Sequence, residues 1–174
     1  NYINYLKGVD KMRIITKKYK AFNIADIKKD DELCNTIYQN FWLESENNIN
    51  PWADENINSF KTFADCLGFG FDYSLSNAEY ADRGCYIKLI PDYDLDNKDY
   101  REALEDYTGN GYCFCDDLKN YADKLISEWH KDYSIDEFAQ DIQNKMFKLW
   151  FADNKDYFSK ETFLESVELN DYEF

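Results

Sequence analysis

The chain predicts an α+β fold, with a small antiparallel sheet of about three strands packed with five to six helices. Three observations carry this. Apolar residues recur at three- and four-residue spacing over several segments, as they do along one face of a helix. Two short segments, 69–76 and 85–90, interrupt that spacing and read as strands joined by a polar loop. Only 2 Pro and 6 Gly occur in 174 residues, so long regular elements can form.

The elements follow in order. Residues 13–22, RIITKKYKAF, mix β-branched and aromatic residues with Lys and predict an edge strand, because Lys discourages pairing with strangers. Residues 30–45 place Leu33, Ile37 and Phe41 four apart, which predicts an amphipathic helix. Asn50-Pro51 reads as an N-cap with Pro at the first helical position. Ile57, Phe60, Phe63, Ala64 and Leu67 continue that helix, and Gly68 ends it. Residues 69–76 and 85–90 form the strand pair, linked through Asp82-Arg83-Gly84. A short acidic helix spans 98–107, and Gly109-Asn110-Gly111 marks a turn. Residues 116–132 place Leu118, Tyr121, Ala122, Leu125 and Trp129 on one face. Ser134 and Glu137 have the spacing of a capping box, opening a helix that buries Phe138, Ile142, Met146, Leu149 and Trp150. A last helix starts at Ser159 and runs through Phe163, Leu164 and Val167. No repeat or interdomain linker stands out, so residues 12–174 read as a single globular domain.

Charge bounds the function. The chain holds 20 Lys+Arg and 35 Asp+Glu, a net of -15. Residues 1–29 carry eight basic and two acidic residues, a net of +6, so residues 30–174 carry -21. Such a body repels phosphates, which excludes general binding to nucleic acid or anionic membrane. No apolar run approaches the roughly 20 residues of a bilayer span. Ile, Leu, Val and Phe are few for so charged a chain, but 15 Tyr, 13 Phe and 4 Trp supply the missing apolar area.

The start of the chain reads as a leader. Met12 is the first methionine, and Lys7-Gly8-Val9 before it can be encoded by a purine-rich string resembling a bacterial ribosome-binding site. Translation is therefore expected to begin at Met12, with residues 1–11 a non-native leader.

Catalytic and metal chemistry find little purchase. Five cysteines at irregular spacing, with no secretory signal, predict reduced thiols in the cytoplasm. Cys113-Phe114-Cys115 lacks the two-residue spacer of zinc knuckles and redox motifs; if extended, its two thiols point to one face, an ordinary core arrangement. The lone His130, expected at the end of the helix over 116–132, suits a helix C-terminus without any catalytic duty. Asp92, Asp94 and Asp96 open like a calcium loop and are weak metal candidates. Position 6 is Asn97 rather than Gly, and position 12 is Ala103 rather than Glu, so a solvated loop with Asp96 or Asn97 as N-cap is favoured. No phosphate loop or dinucleotide fingerprint occurs. The expectation is a non-enzyme with no cofactor.

Three stretches carry a resemblance. They are Met12 to Phe22 (MRIITKKYKAF), Thr108 to Leu118 (TGNGYCFCDDL) and Glu165 to Phe174 (ESVELNDYEF). They are similar to the opening strand, the TGYC-x-D-D-L loop and the E-x-I-E-x-N-x-Y-E-F tail of an uncharacterised acidic protein family of phages and conjugative elements in low-GC Gram-positive bacteria. Gly109-Asn110 departs from the loop pattern. Members are sometimes labelled antitoxin. The resemblance implies a mobile genetic element setting and supplies no catalytic residues.

Two functions follow as expectations. An acidic protein can act as a DNA mimic, presenting carboxylates where DNA presents phosphates to a basic host protein. The interaction residues expected for this are Asp92, Asp94, Asp96, Asp99, Glu102, Glu105, Asp106, Asp116 and Asp117. The alternative is an antitoxin-like partner of a protein encoded on the same element. The Tyr and Trp content also suits a homodimer.

Overall fold

The computed structural model describes residues 22, 24–43, 50–75, 84–109 and 114–170. Within them the order is α1 (Ile24–Ile27), α2 (Asp31–Ile37), a π-helical segment (Tyr38–Leu43), α3 (Ala53–Cys66), β1 (Gly70–Ser74), β2 (Tyr86–Ile90), α4 (Asn97–Asp106), α5 (Cys115–Ser127), α6 (Ile135–Tyr157) and α7 (Lys160–Asn170). The class is α+β and mostly helical. Among the described residues the sheet has two strands rather than about three, and there are seven α-helices rather than five to six. The strand expected over 13–22 lies outside the described residues except for Phe22, which is not in a strand and packs against the apolar cluster around Trp42 and Phe163.

The strands pair antiparallel, with Gly70 opposite Ile90, Asp72 opposite Lys88 and Ser74 opposite Tyr86. Ile87 and Leu89 point into the core, as alternation requires. The Leu89 N–H donates to Gln143 Oε1 of α6 at 3.1 Å, so α6 closes the outer edge of β2.

Long α6 organises the packing. Both arms of its capping box form: Ser134 Oγ accepts from the Glu137 N–H at 3.2 Å, and Glu137 Oε2 accepts from the Ser134 N–H at 2.8 Å. Phe138, Ile142, Met146, Trp150 and Asn154 recur every four residues and form its buried stripe. At 1.5 Å per residue its 23 residues span about 34 Å. That length reaches two apolar clusters. The main one joins α3, the hairpin, α4, α5 and α6 around Phe60, Phe63, Tyr100 and Phe138. The second joins α1, α2, the π-helical segment and α7 around Trp42, Phe158 and Phe163. Along α6, between Trp150 of the first and Phe158 of the second, Asp153 accepts from the side-chain amides of Asn50 (2.8 Å) and fully buried Asn56 (2.7 Å).

Three boundaries differ from expectation, each for a local reason. The helix expected over 30–45 is α-helical only to Ile37. The π-helical turn that follows places Trp42 against Phe163 and Tyr157, with its indole N–H on the Tyr157 carbonyl at 3.1 Å. Helix α3 starts at Ala53, because Asn50 uses its side chain on the Trp52 N–H and leaves Pro51 in the turn. Helix α5 closes at Ser127 rather than continuing to 132. Trp129 then turns inward to lie 5.1 Å from both Phe138 and Tyr133, ring centre to ring centre.

Candidate interaction face

All nine expected carboxylates are exposed, and they occupy three consecutive pieces of chain. Asp92 and Asp94 lie in the loop after β2. Asp96 to Asp106 belong to the cap and body of α4. Asp116 and Asp117 occupy the first turn of α5.

The loop is shaped by its own aspartates. Asp92 Oδ1 accepts from the Asp94 N–H at 3.0 Å, and the Asp92 carbonyl accepts from the buried Tyr100 hydroxyl at 3.2 Å. Asp96 caps α4, as one of the two residues expected to do so. The N–H groups of Lys98 and Asp99 donate to its carboxylate and hold its pKa below the ordinary value. Asp92, Asp94 and Asp96, weighed as metal candidates, do not converge: among the described residues no group of three or more His, Cys, Asp or Glu could hold an ion.

Helix α4 turns Tyr100 and Leu104 inward. At 100° per residue, Asp99, Glu102, Glu105 and Asp106 then fall within one outward arc that also holds Lys98. Lys98 pairs with Glu102 at 3.5 Å, both ends exposed. Glu105, Asp106, Asp116 and Asp117 make no hydrogen bond or ion pair with a described residue.

What joins the two sequence clusters is a contact that the sequence does not announce. The Tyr107 hydroxyl donates to Cys115 Sγ at 3.0 Å in the core, and Lys119 Nζ donates to the Tyr107 carbonyl at 2.8 Å. Tyr107 follows Asp106, and Cys115 precedes Asp116. The contact therefore sets the carboxyl end of α4, with Glu105 and Asp106, beside the amino end of α5, with Asp116 and Asp117. Gly109 assists, since it adopts φ +67° and a Cβ there would stand 3.0 Å from the Cys115 Cβ. Burial pushes the Tyr107 hydroxyl pKa up, and its bond to Cys115 adds to the shift. Cys115 is the first residue of α5, and Cys113 lies outside the described residues.

His130 is not in the last turn of a helix. It stands exposed beyond the end of α5, 6.0 Å from the Tyr133 ring between centroids. It borders an open groove of about 440 Å³ with Asp96, Trp129, Lys131 and Tyr133. Two of the titratable neighbours on the rim, Asp96 and Tyr133, have structural partners. Asp96 caps α4, and the Tyr133 hydroxyl donates to Asp141 Oδ2 at 2.8 Å. The other groove is lined by Glu32, Asn35, Thr36, Gln39 and Asn40, all on the surface of α2 and the π-helical segment.

No helix among the described residues is long and apolar enough to cross a membrane. Comparison with protein-family models, with curated proteins and with solved structures found no match.

Proposed function

We propose that this protein acts by binding a basic partner protein through the face formed by the 92–96 loop, α4 and the start of α5. There it presents carboxylates where a nucleic acid presents phosphates. The observation that carries the reading is the joining of Glu105 and Asp106 to Asp116 and Asp117 by the buried Tyr107–Cys115 contact. Four exposed carboxylates, none with a partner among the described residues, sit on the adjoining ends of α4 and α5, and α4 extends the row by about 15 Å toward Asp92 and Asp94. Charges held on helices packed into the core are already ordered, so a partner gains their attraction without first fixing the chain. The function is binding rather than catalysis, in the setting of a mobile element and directed at a nucleic-acid-binding protein of the host.

The test is a pull-down with the tagged full chain from a low-GC Gram-positive lysate, washed at low and high salt. The expected capture is a basic nucleic-acid-binding protein, released by salt, whose DNA binding the wild-type chain competes away. The double variant Glu105→Lys, Asp106→Lys should lose both capture and competition. A captured protein that holds DNA and this chain together would overturn mimicry. A partner encoded beside this chain, captured equally by the double variant, would favour the antitoxin-like alternative.

A further inference from the structure

We propose that the outer edge of β1, which no described residue bonds, is a self-association surface, where a second copy of this chain adds its own β1 antiparallel to make a four-stranded sheet. The inference is independent of the acidic face.

The ladder identifies the free edge. In an antiparallel pair, residues alternate between bonding the partner strand and pointing away from it. The Leu89 N–H is taken by Gln143, so Leu89 points away from β1. Its partner Phe71, and likewise Tyr73 opposite Ile87, must then turn their N–H and C=O groups away from β2. Helix α6 closes the far edge of β2, but no described residue bonds the β1 edge. Four of the five β1 residues are exposed. An open edge of this kind is a template for another strand.

Charge favours a second copy as the occupant. Residues 67–75 and 84–90 contain one Asp and one Lys, Asp72 and Lys88, which stand directly opposite each other. This neutral stripe interrupts an acidic body, so two copies can bring their β1 strands together there with little charge repulsion. The same stripe exposes Tyr73 (43%), Tyr86 (44%) and Ile90 (50%). On β1 it carries no Lys, no Pro and no bulge, and its one charge, Asp72, is balanced by Lys88 directly opposite. Pairing about a twofold axis closes on itself and leaves no growing end.

The register follows from the same charges. Pairing centred on Asp72 would set two aspartates face to face, which is destabilising. Pairing centred on Tyr73 sets Asp72 opposite Ser74 and Phe71 opposite Leu75. It also extends the ring pair of Phe71 and Tyr73, already 5.3 Å apart, across the axis. Each copy carries -15, so the dimer tightens as salt screens the remaining repulsion. Capture of a basic partner weakens with salt, so failure of one proposal is distinguishable from failure of the other.

Sedimentation equilibrium of the full chain at about 0.05 and 0.5 M salt tests this. The expected result is a monomer–dimer equilibrium whose association constant rises about tenfold with salt. Tyr73→Pro removes an outward N–H that β2 does not use, a position where an edge strand accepts Pro, and should leave a folded monomer. Tyr73→Lys should do the same if the Pro variant does not fold. Leu169→Lys, at the most exposed large apolar side chain among the described residues, should dimerise like wild type. Hydrogen exchange at the Phe71 and Tyr73 amides should slow with protein concentration. A monomer under all conditions, or a dimer indifferent to both Tyr73 variants, would overturn the proposal. So would protection of those amides independent of concentration, since another part of the same chain would then hold the edge.

Discussion

Asp96 and Asp99 cap each other across the first turn of α4. The Asp99 N–H donates to Asp96 Oδ1 at 3.2 Å, while Asp99 Oδ2 accepts from the Asp96 N–H at 2.8 Å. Two of the nine carboxylates on the acidic face therefore have a structural task as well as a charge. Asp96→Ala should lower Tm by about 2–4 °C through loss of the cap. Asp96→Asn keeps an accepting oxygen and should recover most of the loss, which thermal unfolding followed by circular dichroism would show.

The same cap has a pH signature. Its backbone N–H donors hold the Asp96 carboxyl below its ordinary pKa. Its contribution is complete above the unfolded value near 3.9 and is lost as pH falls through the lowered folded value. Acid unfolding of Asp96→Asn should therefore be less steep below about pH 4 than that of wild type. Identical acid limbs would show that the cap does not feel the titration.

Glu105 and Asp106 carry charge without a partner among the described residues. Reversing both to Lys should change Tm by no more than about 2 °C, since neither supports a cap or core contact. A larger loss would mean that these side chains hold the fold and would remove them from the interaction face.

Phe138 is fully buried with three rings around it: Tyr100 at 5.4 Å, Trp129 at 5.1 Å and Phe69 at 6.1 Å. Phe138→Ala should cost about 3–5 kcal/mol, much of the stability of an ordinary domain. Urea unfolding by tryptophan fluorescence would report it. A cost under about 1 kcal/mol would mean that the aromatic cluster is not a packed core.

Alkali should reveal the buried tyrosines. Burial pushes the Tyr100 hydroxyl up to about 12, with the charges of Asp92 and Asp99 adding to it. Burial likewise raises Tyr107 and Tyr133, helped by the bonds to Cys115 and Asp141. An unfolded tyrosine ionises near 10, so the folded chain holds these protons more tightly. Stability is full below pH of about 10 and is lost as pH rises through the folded values. Ultraviolet titration should show a normal class of tyrosines and a class that ionises only on unfolding. One class near pH 10 with folded near-ultraviolet dichroism would contradict the burial.

The sequence by itself determined the elements whose cause is local. The period of Phe138, Ile142, Met146 and Trp150 made a helix wherever it was placed, and Ser134 with Glu137 could start it nowhere else. Alternation made a hairpin of β1 and β2, and the exposed carboxylates of α4 followed from its apolar face. Tertiary structure decided what depends on residues distant in the chain. Beyond the end of α5, Trp129 packs on the rings of Tyr100 from α4 and Phe138 from α6, contacts between residues distant in the chain. Trp42 drew its segment into a π-helix against α7. The Tyr107–Cys115 bond joined two acidic stretches, because only the packing of α4 on α5 brings that hydroxyl to that sulfur. Local pattern fixes which face of an element is apolar. Which other face covers it is a choice among distant partners, and in this chain that choice set the acidic end of α4 beside the start of α5 and left the β1 edge without a partner among the described residues.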